Sequence, residues 1–154
     1  VQKLGGLVRL PQKAPSLTYA ASPDHVIRAD GLASLRSSFR RVIVRSGFGR
    51  FDVIAAKRAH CVHSTGAEPR NARLGLVTLR DTTRRLAGTP RHNVTVVTAA
   101  YVASAPPTFA ATVERVAATV TTPALARLRG AVELDGQDLA AVARAHLVVA
   151  GIVT

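Results

Sequence analysis

The chain is poor in cysteine, in aromatic rings and in acidic side chains, and it has no long hydrophobic run. One cysteine, Cys61, rules out an intrachain disulfide framework. Aspartate and glutamate total nine, and none of them forms an obvious acid–base pair; Glu133, Asp135 and Asp138 fall instead where a turn and a helix cap are expected. With no GxSxG elbow or comparable nucleophile motif, catalysis has no support in the sequence, and an enzyme is not expected. No apolar stretch approaches the roughly 20 residues that a membrane-spanning helix needs. The first residue is Val1, without a charged-then-apolar leader, so no signal segment is expected within these residues.

What is present suits a folded chain. Hydrophobic residues make up 47% of the 154, mostly Ala and Val, which favours tight packing of helices and sheet over a disordered tail. The length allows one ordinary domain, or two small lobes sharing a chain. The net charge of +12 is unevenly placed: residues 1–93 hold 17 Lys/Arg against 5 Asp/Glu, whereas residues 94–154 hold 4 against 4. At long range the first part therefore attracts anions and acidic surfaces.

Strand and helix patterns alternate through that first part. Ser16–Ala20 and Arg41–Arg45 read as strands, as does Leu74–Leu79, and Asn93–Thr98 has the strongest strand pattern. Residues 21–30 read as a polar loop, followed by a helix with Leu32, Leu35 and Phe39 on one face and a second helix over Phe51–Ala59. His60 to Arg73 lacks a pattern, and 81–91 is a charged loop. Beyond Pro106–Pro107 the chain reads as helical: Phe109–Thr119, a helix capped by Thr122 with Pro123 at its start, and a last helix capped by Asp138. Strands alternating with helices, then helices alone, predict an open α/β sheet with a helical C-terminal section.

Local motifs narrow the chemistry. Gly47-Phe48-Gly49 lies between a strand and a helix, but Asp52 stands at the third glycine position of a dinucleotide loop, so the pair is a turn. His60, Cys61 and His63 are the one cluster of metal-ligand types, without the second ligand pair of a structural zinc site; His25, His92 and His146 read as isolated. Neither a metal nor a cofactor is expected. The basic pairs Arg40-Arg41, Lys57-Arg58 and Arg84-Arg85 could meet phosphates, but sparse aromatics and the lack of a nucleic-acid module disfavour a dedicated nucleic-acid face.

Two stretches resemble a known family. The segment from Val113 to Leu147, with Thr121, Thr122, Leu125, Leu128, Val132, Asp135, Gly136, Asp138, Val142 and Ala143 in place, is similar to the ending of ABC-importer substrate-binding proteins of the glycine betaine and choline type. Upstream, Leu17 to Phe39 resembles that family's strand, ligand loop and helix start, through Arg28, Gly31, Leu32 and Leu35. The stretch from Leu74 to Asp81 and the segment Asn93–Thr98 resemble two further strands of the family, so the likeness spans nearly the whole chain.

The resemblance implies a periplasmic-binding-protein-like (type II) lobe of α/β class, with an open mixed sheet flanked by helices. Residues 1–98 would form the second ligand-binding lobe, and 99–154 a helical section belonging to the first. It further implies an extracytoplasmic protein that holds a small quaternary-amine solute between two lobes and docks on ABC permease subunits. Aromatic faces would attract the cation and an arginine fork the carboxylate. Arg28 occupies the family's arginine position, Ser64 and Thr65 fit its S-T-D segment, and Tyr19 is the nearest aromatic. The chain departs from the pattern at Ala29 and Ala33, where prolines are usual, at Gly66 for the aspartate and at His63 for an aromatic; Trp is absent. These departures describe a truncated or degenerate member, whose sheet could be completed by elements exchanged between two chains. The alternative reading is a basic module that binds nucleic acid or acidic partners.

Overall fold

A computed structural model describes residues 17–28, 39–79 and 96–154. They fall into two compact units. The first holds 17–28, 39–64 and 70–79, and the second 65–69 and 96–154.

In the first unit, β1 (Thr18–Ala21) lies between β2 (Arg41–Val44) and β3 (Cys61–Val62), and both pairings are parallel. Tyr19 faces Val42 and Cys61 across the ladder, and Ala20 faces Ile43 and Val62. Because side chains alternate along a strand, this register sorts the core by face. Tyr19, Ala21 and Phe39 pack with Leu17, Val26, Val42, Cys61 and Leu79, whereas Ala20, Val53 and Ala59 pack with Ile43, Ile54 and Val62. A central strand buried on both sides is the ordinary state of a parallel sheet covered by helices. Helix α2 (Gly49–Ala55) supplies Phe51 and Val53, the largest fully buried side chains described.

Several local elements differ from the sequence expectation. The polar loop after β1 contains α1 (Pro23–Ile27), a single turn with Ser22 at its N-cap position, Pro23 at its start and Asp24 in its first turn. Helix α2 begins at Gly49 and is over by Ala56, because Lys57 takes a positive φ of 56° that no helix continues. The patternless stretch 60–73 holds β3 and α3 (Arg70–Arg73). Leu74–Leu79 forms no strand: Gly75, at φ 61°, turns the chain out of α3 while the Leu76 N–H donates to Asn71 O at 2.8 Å and the Gly75 N–H to Ala72 O at 3.1 Å. That pair of bonds is a Schellman ending, which uses the backbone donors a ladder would need. The helix expected around Leu32 and Leu35 lies outside the described residues.

The second unit is helical: α4 (Ala99–Ser104), α5 (Phe109–Thr119), α6 (Thr122–Glu133) and α7 (Leu139–Val149). Of the expected strand Asn93–Thr98, residues 93–95 lie outside the described residues, and Val96–Thr98 pairs with no strand among the described residues. Thr98 instead caps α4, accepting from the Tyr101 N–H at 3.2 Å. Asp138 caps α7 as expected, accepting from Ala141 N–H at 2.8 Å. The cap of α6 is Thr121, one residue before the expected Thr122; its hydroxyl accepts from Ala124 N–H at 3.3 Å. Thr121→Ala should therefore lower stability by about 1 kcal/mol, and Thr122→Ala by clearly less, as urea midpoints of the two variants will show.

The segment 65–69 is held by α6. Arg129 donates to Ala67 O at 3.0 Å, meets buried Glu68 at 3.4 Å and pairs with Glu133 at 2.6 Å. No helix among the described residues is long and apolar enough to cross a membrane.

Candidate functional site at the carboxyl ends of β1 and β3

The order β2-β1-β3 means that the chain leaves β1 towards one neighbour and later returns on its other side. Open parallel sheets hold ligands outside the carboxyl ends of the strands at such a reversal. Here those ends are Ala21–Ser22, running into α1, and Val62–His63.

Five side chains meet there. Tyr19 lies on the buried face of β1, 7% exposed, with its hydroxyl 3.3 Å from His25 Nε2. His25, 8% exposed, sits on α1 and stacks on His63, with ring centroids 3.7 Å apart and an interplanar angle of 6°. His63 Nδ1 lies 3.4 Å from Ser22 Oγ, and Arg50 on α2 donates from Nε to His63 O at 2.8 Å. A second Arg50 hydrogen bond, to Gly47 O, ties the guanidinium to the β2–α2 turn.

The residues singled out in sequence are distributed unevenly. Tyr19 is inside the cluster, its ring against Phe39 at 4.7 Å between centroids. Arg28 is exposed and caps the end of α1, its N–H donating to Asp24 O at 3.3 Å. Ser64 directly follows His63, and its hydroxyl donates to Asn71 Oδ1 at 2.6 Å. Thr65 is exposed and belongs to the second unit, where its carbonyl accepts from Glu68 N–H at 3.2 Å.

Neither His25 nor His146 is isolated. His25 is stacked on His63, and His146 Nε2 lies 3.0 Å from Thr119 Oγ1. The sequence cluster of His60, Cys61 and His63 comes apart in space. His60 Nδ1 accepts from Thr18 N–H at 3.0 Å, Cys61 packs with the Tyr19 core, and His63 stacks on His25. Among the described residues no group of three or more His, Cys, Asp or Glu could hold a metal ion.

Aromatic faces are scarce. In the first unit the described aromatic rings besides histidine are Tyr19, Phe39, Phe48 and Phe51. All but Phe48 are buried, and the Phe48 ring has the Arg70 guanidinium carbon 3.6 Å from its centroid. The ring quadrupole of Phe48 is thus already turned to a cation.

Burial pushes the Tyr19 phenol well above its ordinary value of 10.0, helped by nearby Cys61 and opposed by Arg50. Burial also raises the Cys61 thiol above its ordinary 9.0. Tyr19 therefore keeps its proton and can donate to His25 Nε2. In the unfolded chain both groups ionise from their ordinary values upward, so above pH 9 the unfolded state binds fewer protons than the folded one. Stability is full below that point and falls as pH rises. Urea midpoints should drop between pH 8.5 and 11, and Tyr19→Phe should flatten the upper part of that drop.

Residues 10–148 match the family described as the substrate binding domain of ABC-type glycine betaine transport system. The chain belongs to this family. Among solved structures, apo YehZ from Escherichia coli is similar, with a TM-score of 0.61 and 20% sequence identity over 98% of this chain. That likeness is one of fold, and it supports the periplasmic-binding-protein-like α/β architecture expected from sequence. The chain spans 58% of the length of that structure. No curated protein gives a significant sequence match.

His25, His63 and Ser22 gained no site role from sequence. The signal was present in Ser22-Pro23-Asp24, which starts a helical turn at a strand end and so places His25 over the sheet edge.

Proposed function

We propose that this chain is part of the solute-binding component of an ABC importer for glycine betaine, choline or a related osmoprotectant. It would act outside the cytoplasm and deliver its solute to permease subunits. In this reading residues 1–98 are the second lobe and 99–154 a helical section of the first. The family match over 10–148 carries the reading. The geometry agrees with it, since polar side chains gather at the strand ends where a parallel sheet holds ligands. Arg28, Ser64 and Tyr19, with Thr65, are the residues proposed to serve the solute. Arg28 offers a planar fork suited to a carboxylate, Ser64 a hydroxyl beside the strand end, and Tyr19 a neutral phenol that orients His25. The group carries out no chemistry on its solute; it binds and releases it.

Calorimetric titration with glycine betaine, choline and proline tests this. Saturable heat from one of the quaternary amines, weakened by Arg28→Ala, is the expected result. Silence towards all three, together with salt-sensitive binding of nucleic acid, would replace the reading with that of a basic interaction module.

A further inference from the structure

We propose that the amino edge of the parallel sheet is a docking surface for an anionic lipid bilayer, carried by Arg40, Arg41, Lys57 and Arg58. The ladder brings these residues together although the chain separates them into two pairs. Arg41 opens β2 and is paired with Thr18, the first residue of β1. Thr18 in turn is tied to the start of β3: its N–H donates to His60 Nδ1 at 3.0 Å, and its carbonyl accepts from the His60 N–H at 2.9 Å. Lys57 and Arg58 lead from the end of α2 into that start, their N–H groups bound back to Ile54 O and Val53 O at 2.9 Å each. Neighbouring strands set the three strand starts within about 10 Å of one another, close to one Debye length, so the charges act as one field. All four side chains are exposed, and none is in a salt bridge or side-chain hydrogen bond among the described residues.

The acids lie on the other side. The described part of the first unit has nine Lys/Arg, the four above with Arg28, Arg45, Arg50, Arg70 and Arg73, against two carboxylates, Asp24 and Asp52. Both carboxylates are in first helical turns that follow strands, Asp24 in α1 after β1 and Asp52 in α2 after β2, and so belong to the side of the carboxyl ends. The other five arginines also come after strand ends, where Arg45 donates to Val44 O at 2.8 Å, Arg50 to His63 O, and Arg70 lies over Phe48. The amino edge is thus left with cations and no carboxylate among the described residues. The described second unit holds four Lys/Arg against five Asp/Glu, so the field belongs to one edge of one unit. Lys57 adds an independent observation. At φ 56° it occupies the left-handed position after a helix end, where Gly or Asn is at ease, and no other non-glycine residue among those described has a positive φ. A cation stands there against the local backbone preference.

The edge suits a bilayer better than a nucleic acid. Single strands are held by rings that stack on bases; in this unit Tyr19, Phe39 and Phe51 are buried and Phe48 sits in the turn after β2, so this edge presents none. The helix end at this edge is the carboxyl end of α2, whose carbonyls disfavour a phosphate held in one fixed geometry. What remains is a diffuse field, and anionic headgroups answer such a field without a shaped pocket. The importer reading puts the chain beside a membrane, and on that point alone the inference rests on it. Strands of four residues set this edge about 10 Å from the carboxyl ends, so a bilayer against it leaves the solute site open.

Flotation of the whole chain with vesicles of phosphatidylcholine alone, and of phosphatidylcholine mixed with phosphatidylglycerol, tests this. Binding is expected to the mixed vesicles only, and should fall as salt rises. Each cation near an anionic surface strengthens binding about fivefold, so Arg40→Gln with Arg41→Gln, or Lys57→Asn with Arg58→Gln, should weaken it about thirtyfold. Arg45→Gln with Arg144→Gln removes the same charge away from the edge and should weaken it less than about threefold. Asn is at ease at a positive φ, so the urea midpoint of Lys57→Asn should not fall. Equal losses from edge and control pairs would show that net charge drives binding, and overturn the inference. So would absence of binding to the mixed vesicles, equal binding to both kinds, or release from the mixed vesicles by a single-stranded oligonucleotide at matched phosphate concentration, which would assign the edge to nucleic acid. Calorimetry with glycine betaine separates the two readings. Silence towards betaine with vesicle binding retained removes the importer reading and leaves this surface standing; betaine binding without vesicle binding does the reverse.

Discussion

Phe51→Ala should remove about 3–5 kcal/mol of stability, enough to unfold much of the population of a chain with the usual margin of about 5–15 kcal/mol. Phe51 is 2% exposed, in the helix that covers one face of β1. Deleting its ring leaves a cavity in the buried face of α2, whose Val53 packs on the small side chain of Ala20 in the central strand. Small side chains there let helix and sheet approach closely, and they have no reach with which to close a gap. Phe48, three residues earlier and 45% exposed, provides the contrast. Phe48→Ala gives up a partly exposed ring and its contact with Arg70, and should cost about 1 kcal/mol or less. Urea unfolding followed by far-ultraviolet circular dichroism measures both, and comparable losses would show that α2 does not anchor the sheet.

The second large effect is expected at Arg129. Its guanidinium bridges Glu68, Ala67 O and Glu133, and Glu68 is 4% exposed. Arg129→Ala removes a charge partner from a buried carboxylate and a donor from a backbone carbonyl, and should cost about 2–4 kcal/mol. Glu133→Ala breaks the outer i,i+4 contact and should cost about 0.5 kcal/mol. Arg129→Lys should recover little, because a single ammonium cannot address three acceptors set around a planar fork. Thermal midpoints of the three variants order them; a Glu133 effect as large as that of Arg129 would place the weight of the cluster on the surface instead.

The helical half was largely legible in the sequence. Phe109–Thr119 and Leu139–Val149 carry an apolar stripe at helical spacing, and Asp138 is a cap recognisable by its chemistry. The shift from Thr122 to Thr121 at α6 shows the grain of such reading, since adjacent threonines are equivalent until one hydroxyl reaches an amide. The sheet was half legible. β1 and β2 have the composition of buried strands, but β3 is two residues long and too short for any alternation. Only its pairing, Tyr19 with Cys61 and Ala20 with Val62, makes it a strand. Leu74–Leu79 had strand composition and became a turn, because Gly75 and the α3 ending used its backbone donors locally.

The sequence by itself determined the α/β class, the basic character of the first part, the C-terminal helices and, through matched residues over most of its length, the family. Local propensity, charge and motif are properties of neighbouring residues and need no third dimension. Only the tertiary structure decided which histidines matter. His25 and His63 are 38 positions apart and unremarkable alone; a parallel register that aligns the ends of β1 and β3 brings them into a stack over Tyr19. The same register put Tyr19 into the core, because side-chain direction along a strand follows from pairing, which no single segment contains.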